Sequence, residues 1–231
     1  MVAVLFCAKA VAAAQISISS YDITEAIVSG WGLWAHTYNG TITPTGQVVP
    51  GGDGLLADVA NYTGGGGTLN DGVIGDTSSS QLFVSGAAPD GGPILNPVIT
   101  LHLPGLFQIH SINIFGGDGS TNYAPGCLTG VTVGIGGSIE TINTTPWGKR
   151  GLCAPVNDLA SLTGTALAGL ATDTITLSGF SGPLPFGEFS ITEIRVDGTA
   201  ADVPVVPEPA LLLLLGMGAI GCARRRANRR S

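Results

Sequence analysis

The chain has 231 residues, of which only 11% are charged and 36 are glycine, where about 25% charged and about 7% glycine are typical. Between Gln15 and Glu208 the three cations Lys149, Arg150 and Arg195 face all 16 Asp and Glu residues, which leaves a formal charge of −13 on that stretch. Nucleic acid, whose binding demands a basic face, is thereby excluded as a partner, whereas solubility, polysaccharide surroundings and divalent cations all suit an acidic surface.

Residues 1–14 are apolar apart from Lys9, and Ala12-Ala13-Ala14 before Gln15 offers the small side chains that a signal peptidase takes. The stretch is expected to be an export signal, short at its positive end as an upstream start codon would make it. A first β-strand beginning at Met1 is the alternative. A domain is then expected over 15–200, long enough for a single core. Gln15 to Ser19 alternates with period two and predicts a strand. Tyr21 to Asn39 gathers Tyr21, Trp31, Trp34, His36 and Tyr38, which serve either as core plugs or as a sugar platform. Periodicity disappears from Gly40 to Gly54, which predicts a surface loop or hairpin.

Leu55 to Tyr62 is a short apolar segment, Gly64 to Gly67 a flexible run, and Thr68-Leu69-Asn70-Asp71-Gly72 a tight turn. In such a turn Asn and Asp side chains satisfy backbone amides and Gly takes a positive φ. Gln81–Ser85, Pro97–Leu103 and Phe107–Phe115 predict strands. The last alternates without sorting polarity: Phe107, Ile109, Ser111, Asn113 and Phe115 share one face, and Ile112 and Ile114 share the other with Gln108 and His110. Gly116 to Cys127 is a polar loop containing Asp118 and Tyr123. Two further strands, Leu128–Ile135 and Ser138–Ile142, are joined by Gly136-Gly137 as a hairpin turn. Thr144 to Val156 reads as an excursion carrying Trp147 and Cys153. Cys127 and Cys153 are the two cysteines away from the chain ends, and in an exported protein they are expected to form a disulfide, worth about 3 to 4 kcal/mol in the chain-entropy account. Thr172–Leu177 and Glu188–Val196 close the domain. Eight or nine short strands with no helical periodicity predict an all-β sandwich.

The tail has three parts in order. Residues 201–209 form a linker ending in Val206, Pro207, Glu208 and Pro209; residues 210–223 are apolar; residues 224–231 hold five arginines. As a single hydrophobic helix the apolar run would rise about 21 Å, short of the roughly 30 Å of bilayer hydrocarbon. Its lack of a polar stripe points to membrane contact rather than to a core helix, and the arginines belong on the cytoplasmic side, leaving the domain beyond the inner membrane.

Catalytic patterns are missing from the sequence. His36, His102 and His110 lack HExxH spacing, there is no Gly-x-Ser-x-Gly elbow before a helix, and the glycine runs lack the Lys-Ser/Thr of a phosphate cradle. The chain is expected to be no enzyme. Binding is the leading expectation, with Tyr123, Trp147 and Arg195 as ligand-binding candidates; a structural surface protein without a small ligand is the alternative.

The Val206-Pro207-Glu208-Pro209 box, the adjoining apolar run and the arginine end resemble the PEP-CTERM sorting signal of bacterial exported proteins. That resemblance implies transient anchoring in the inner membrane, processing near the box by an exosortase-type membrane protease, and delivery to the cell surface or extracellular matrix. Ala60 to Tyr62 with Leu69-Asn70-Asp71-Gly72, the strands around Ile99–Leu103 and Ile109–Ile114, and Ile191-Thr192-Glu193-Ile194-Arg195-Val196 resemble the galactose-binding-like jelly roll, the discoidin or coagulation-factor type C module. It implies carbohydrate or exopolysaccharide as partner, and a structural calcium where the early Asp-Gly turn meets a late glutamate, here Asp71 and Glu193, with Asp76.

Overall fold

The computed structural model describes residues 13–29, 36–50, 56–75, 79–84, 95–116, 128, 130–144, 148–149, 152–153, 157–181 and 188–201. They belong to a compact unit, Met1–Ala201; the second unit, Asp202–Ser231, lies wholly outside them, as do residues 1–12 of the export signal expected over 1–14, whose last residue, Ala14, begins the first strand. Among the described residues no helix is long and apolar enough to cross a membrane, and the apolar run over 210–223 is not among them.

The described fold is all β and antiparallel. Its strands are β1 (Ala14–Ile16), β2 (Ser20–Ser29), β3 (Thr41–Pro50), β4 (Leu56–Gly65), β5 (Gln81–Val84), β6 (Val98–Phe115) and β7 (Gly130–Ile135), then β8 (Ser138–Asn143), β9 (Gly148–Lys149), β10 (Leu152–Cys153), β11 (Asn157–Ser161), β12 (Ala171–Ser181), β13 (Glu188–Ile191) and β14 (Glu193–Ala200). The main path runs β3-β4-β2-β6-β12-β7-β8, with β11 and β14 also on β6 and β1 on β14. The strand β6 organises this. Its first half pairs with β2, its second half with β14 and β11, so one strand serves two layers. Between them lie Pro104, Gly105 and Leu106, where pairing with β12 jumps from His102↔Thr174 to Phe107↔Thr172. Proline cannot continue a ladder, and the strand turns there.

Two strands expected on either side of residues 104–106 are thus one, and its mixed faces have a local cause. Ile99, Leu101 and Leu103 are buried, then Ile109, then Ile112 and Ile114. Pairing passes from Asp197↔Ser111 to Gly198↔Ile109, which leaves His110 as the extra residue of a β-bulge and reverses the inward parity. All six apolar side chains therefore reach the core. Around them close Ile23, Val131, Val133, Ile175, Leu177, Ile194 and Val196. The short pair β5 and β13 adds Phe83 and Phe189, whose rings stack 5.1 Å apart beside Phe180. A smaller cluster, Ile27, Val49, Ala57, Val59 and Leu95, fills the side of β2, β3 and β4.

Three expectations over this region change. The loop expected from Gly40 to Gly54 contains β3, an exposed edge strand; it tolerates Pro44 and Pro50 because an edge needs no amide on its outer side, and its register slips between Pro44 and Val48. The aromatic stretch from Tyr21 begins as strand β2, whose pairing with β4 slips three times and so hides its alternation. The glycine run is close-packed at Gly65 and Gly67: a Cβ on Gly67 would lie 1.9 Å from the Thr37 carbonyl oxygen, and one on Gly65 would lie 2.3 Å from the Gly40 nitrogen. The β7–β8 hairpin forms as expected, with positive φ at both Gly136 and Gly137.

Candidate functional site

Backbone anchors hold the Thr68–Gly72 turn. Thr68 donates its amide to the Thr37 carbonyl at 3.0 Å, and the Thr68 hydroxyl accepts the Thr37 amide at 2.9 Å. Buried Leu69 accepts the Ile194 amide at 2.8 Å. Asn70 works both ways: its Oδ1 accepts the Gly67 amide and its Nδ2 donates to the Ile18 carbonyl, each at 2.9 Å. Asp71 Oδ1 accepts the Val73 amide at 2.8 Å, closing an Asx turn, and Gly72 has φ 84°. The turn chemistry expected from the sequence is what forms, and it leaves Asp71, Val73 and Ile74 exposed.

Opposite the turn stands β14. The Glu193 carboxylate is buried; its Oε2 accepts the Gly72 amide at 3.1 Å and its Oε1 accepts Arg195 Nε at 3.3 Å. Arg195 Nη2 donates to the Gly72 carbonyl at 3.1 Å, while the guanidinium lies 5.1 Å from the centre of the Phe115 ring. Burial pushes the Glu193 carboxyl above its ordinary range, with the Asp71 charge adding to the shift, against the Gly72 amide and Arg195. The fold thus brings together Asp71, Glu193 and Arg195, all singled out by sequence. The Arg195 guanidinium already serves as the cation beside Glu193, and among the described residues no three His, Cys, Asp or Glu side chains gather around one point.

Asp76, Tyr123 and Trp147 lie outside the described residues, as do Trp31, Trp34 and Cys127. The disulfide expected between Cys127 and Cys153 has therefore one partner outside them; Cys153 itself pairs along the backbone with Gly148 in the β9–β10 ladder. The box Val206, Pro207, Glu208 and Pro209 is outside them too. Sequence reasoning missed Phe115 and Gly72 as partners of Arg195. Their contact depends on Glu193 falling opposite Phe115 in the ladder, and no local pattern announces that register.

Behind the turn, Tyr21, His36, Tyr38 and Tyr62 form an aromatic cluster. Tyr21 is fully buried and Tyr38 Oη bridges two backbones, donating to the Tyr21 carbonyl and accepting the Gly65 amide, both at 2.8 Å. Of the two roles open to this aromatic stretch, Tyr21 and Tyr38 take the packing one. A hollow of about 290 Å³ lies elsewhere, on β2, β3 and β4, lined by Val28, Ile42, Pro44 and Val48; it is apolar and holds none of the expected site residues.

Residues 205–227 match the PEP-CTERM protein-sorting motif, so the tail carries a sorting signal of exported proteins. Comparison with curated proteins finds no match. Among solved structures, the chain is similar to a truncated AlyQ with CBM32 and alginate lyase domains (12% identity, TM-score 0.43), over 84% of this chain and 35% of that one, so that it spans about a third of that structure's length. It is similar to the C-terminal domain of a chitobiase from Bacteroides fragilis (16% identity, TM-score 0.42), covering 82% of this chain and 100% of the other. A third is the family 32 CBM of Clostridium perfringens NanJ in complex with galactose (13% identity, TM-score 0.38), covering 76% and 98%.

Proposed function

We propose that the exported domain is a non-catalytic module that binds extracellular polysaccharide, with Asp71 and Arg195 as its polar centre. The observation that carries this reading is an exposed carboxylate and a half-exposed guanidinium, both fixed to backbone, next to exposed Val73 and Ile74. Sugars offer hydroxyls to polar groups and C–H faces to apolar ones, and a preformed surface that supplies both suits them. Tyr123 and Trp147 would add stacking faces. Processing near Val206–Pro209 by an exosortase-type membrane protease, after transient residence in the inner membrane, would release the domain to the cell surface or the extracellular matrix. A Cys127–Cys153 disulfide belongs to the same reading.

The test is a glycan array with the full exported chain, alongside Arg195→Ala and Asp71→Asn variants. Binding to a polysaccharide that weakens about tenfold in either variant is expected; no glycan retained by the wild-type chain would sink the proposal. Calcium at Asp71, Asp76 and Glu193 requires Arg195 to leave the Glu193 carboxylate. Arg195→Ala should therefore tighten calcium binding in a calorimetric titration, and equal affinity in both chains would remove the ion from this site. A structural matrix protein is the second reading, favoured by the hydroxyl rows on the outer sheet face, where Thr100 pairs Thr176, Ser178 pairs Thr132, and Thr132 reaches Thr141 at 2.9 Å.

A further inference from the structure

His36 occupies an unusual position in the aromatic cluster. Its Nε2 lies 3.0 Å from the Tyr21 hydroxyl, and its ring meets Tyr62 edge-on at 5.2 Å and stacks with Tyr38 at 6.3 Å. The second nitrogen, Nδ1, is buried and among the described residues has no hydrogen-bond partner. Among the described residues every titratable group facing the ring is a phenol: Tyr21 from β2, Tyr38 from its own segment and Tyr62 from β4. Burial pushes all three upward, Tyr62 to about 12, so they stay neutral through any acid range. The carboxylates acting on this cluster are committed elsewhere, Asp22 to His102 and the Gly64 amide, and Asp71 to its own turn. The preceding residues 30–35, GWGLWA, contain no ionisable side chain. A proton added to this imidazole would put a cation among three phenol rings with no acceptor at Nδ1, which a buried site strongly disfavours.

The segment that carries His36 is held by one isolated bridge and individual hydrogen bonds rather than by a strand ladder. Its grip on the glycine run consists of the isolated Tyr38↔Gly67 bridge, the amide bonds Asn39 to Gly66 and Thr68 to Thr37, and side-chain bonds from Thr68, Asn39 and Tyr38. Gly67 and Thr68 lead directly into the Asp71 turn. We infer that His36 is an acid-operated latch on the candidate site: protonating its ring releases residues 36–40 from Gly65–Thr68 and with them loosens the Thr68 end of the turn that presents Asp71, while its Leu69, Asn70 and Gly72 anchors stay in place. Only local structure need open, because β2 and β4 pair independently of the segment.

The direction of the pH effect follows from burial, which lowers the His36 titration from 6.5 to about 4 in the closed state. An opened segment exposes the ring and restores the ordinary value. Between pH 6.5 and about 4 the open form binds one more proton than the closed form, so the opening constant rises about tenfold per pH unit, or roughly 300-fold in total.

Hydrogen exchange on the full chain tests this from pH 7 to 4, with rates corrected for intrinsic exchange. The Thr37, Asn39, Gly66 and Thr68 amides are expected to open about tenfold more per unit below pH 6.5, while Thr132 in β7 stays protected. In His36→Phe that slope should vanish. Pushing the same measurement further, NMR titration of the wild-type ring should give a midpoint near 4; a midpoint near 6.5 with unchanged amide protection overturns the inference, and so does the same slope in His36→Phe. If that variant does not fold, the wild-type slope and the ring midpoint still decide. Exchange needs no ligand, so the latch is tested apart from the polysaccharide reading on which its link to function rests. Where a glycan is bound at pH 7, its affinity should fall by pH 5 with the amides; affinity unchanged while those amides open would show that the latch does not govern the site.

Discussion

At Glu193 two pulls meet. The buried carboxyl is pushed upward by desolvation, while the Gly72 amide and Arg195 draw it back. Its charge therefore weighs against the fold as pH rises from its ordinary value through the raised one, and Glu193→Gln should flatten that loss in urea unfolding measured across the acid range. Arg195→Met strands the carboxylate with a single donor, and a loss of about 1 to 3 kcal/mol is expected by urea unfolding at pH 7. The double variant should regain most of it, since replacing both partners of a buried pair removes the unpaired charge. His36 works in the opposite sense. With its titration lowered to about 4, its contribution is complete above pH 6.5 and is lost as pH falls toward 4, by about 3 kcal/mol; unfolding of His36→Phe should show a correspondingly shallower acid limb. At this scale the turn was legible, because Asn70 and Asp71 accept amides within three residues of themselves, from Gly67 and Val73, and Gly72 supplies the positive φ. Arg195 was legible as a ligand-binding candidate but its partners were not, since Gly72 and Phe115 are its neighbours through the fold and not through sequence.

The glycine run shows how an element can be misread when only its freedom is considered. Gly64 has φ 71° with open space around it, whereas Gly67 abuts the Thr37 carbonyl. Alanine at Gly64 should cost about 1 kcal/mol, the strain of a left-handed residue with a Cβ. Alanine at Gly67 should cost more, about 2 to 3 kcal/mol, because backbone must move. Thermal unfolding of the two variants orders them, and equal losses would mean that the 36–40 segment yields freely. The strands most clearly read were those with local signatures, such as β7 and β8 around Gly136-Gly137. Those misread were set by distant partners: β3 holds two prolines that only an edge permits, and β6 changes its inward face at His110 because Gly198 of β14 pairs with Ile109. A Cβ at Gly198 would lie 2.4 Å from the Gln108 carbonyl oxygen, so the bulge is fixed from the strand opposite, where a reading of β6 alone has no access to it.

For the whole molecule, charge and sorting signal act in sequence. An acidic domain with −13 over 15–208 is followed by five terminal arginines, which the proposed export route would retain on the inner side of the membrane. The matched motif over 205–227 contains the box, while the 14 apolar residues of 210–223 fall short of a full span by about 9 Å at helical rise. Under the proposed processing route such a segment would hold a precursor only transiently, because each ångström of mismatch has a cost. Replacing Pro207, Glu208 and Pro209 with alanine should leave this apolar run intact and block processing alone. The variant should accumulate in the membrane fraction with its C-terminal arginines, as read by intact-mass analysis, while the wild-type chain appears outside the cell shortened near residue 206. A variant still shortened and released at the wild-type level would show that the apolar run and arginines suffice for sorting, and that the Pro-Glu-Pro turn serves only to end the domain.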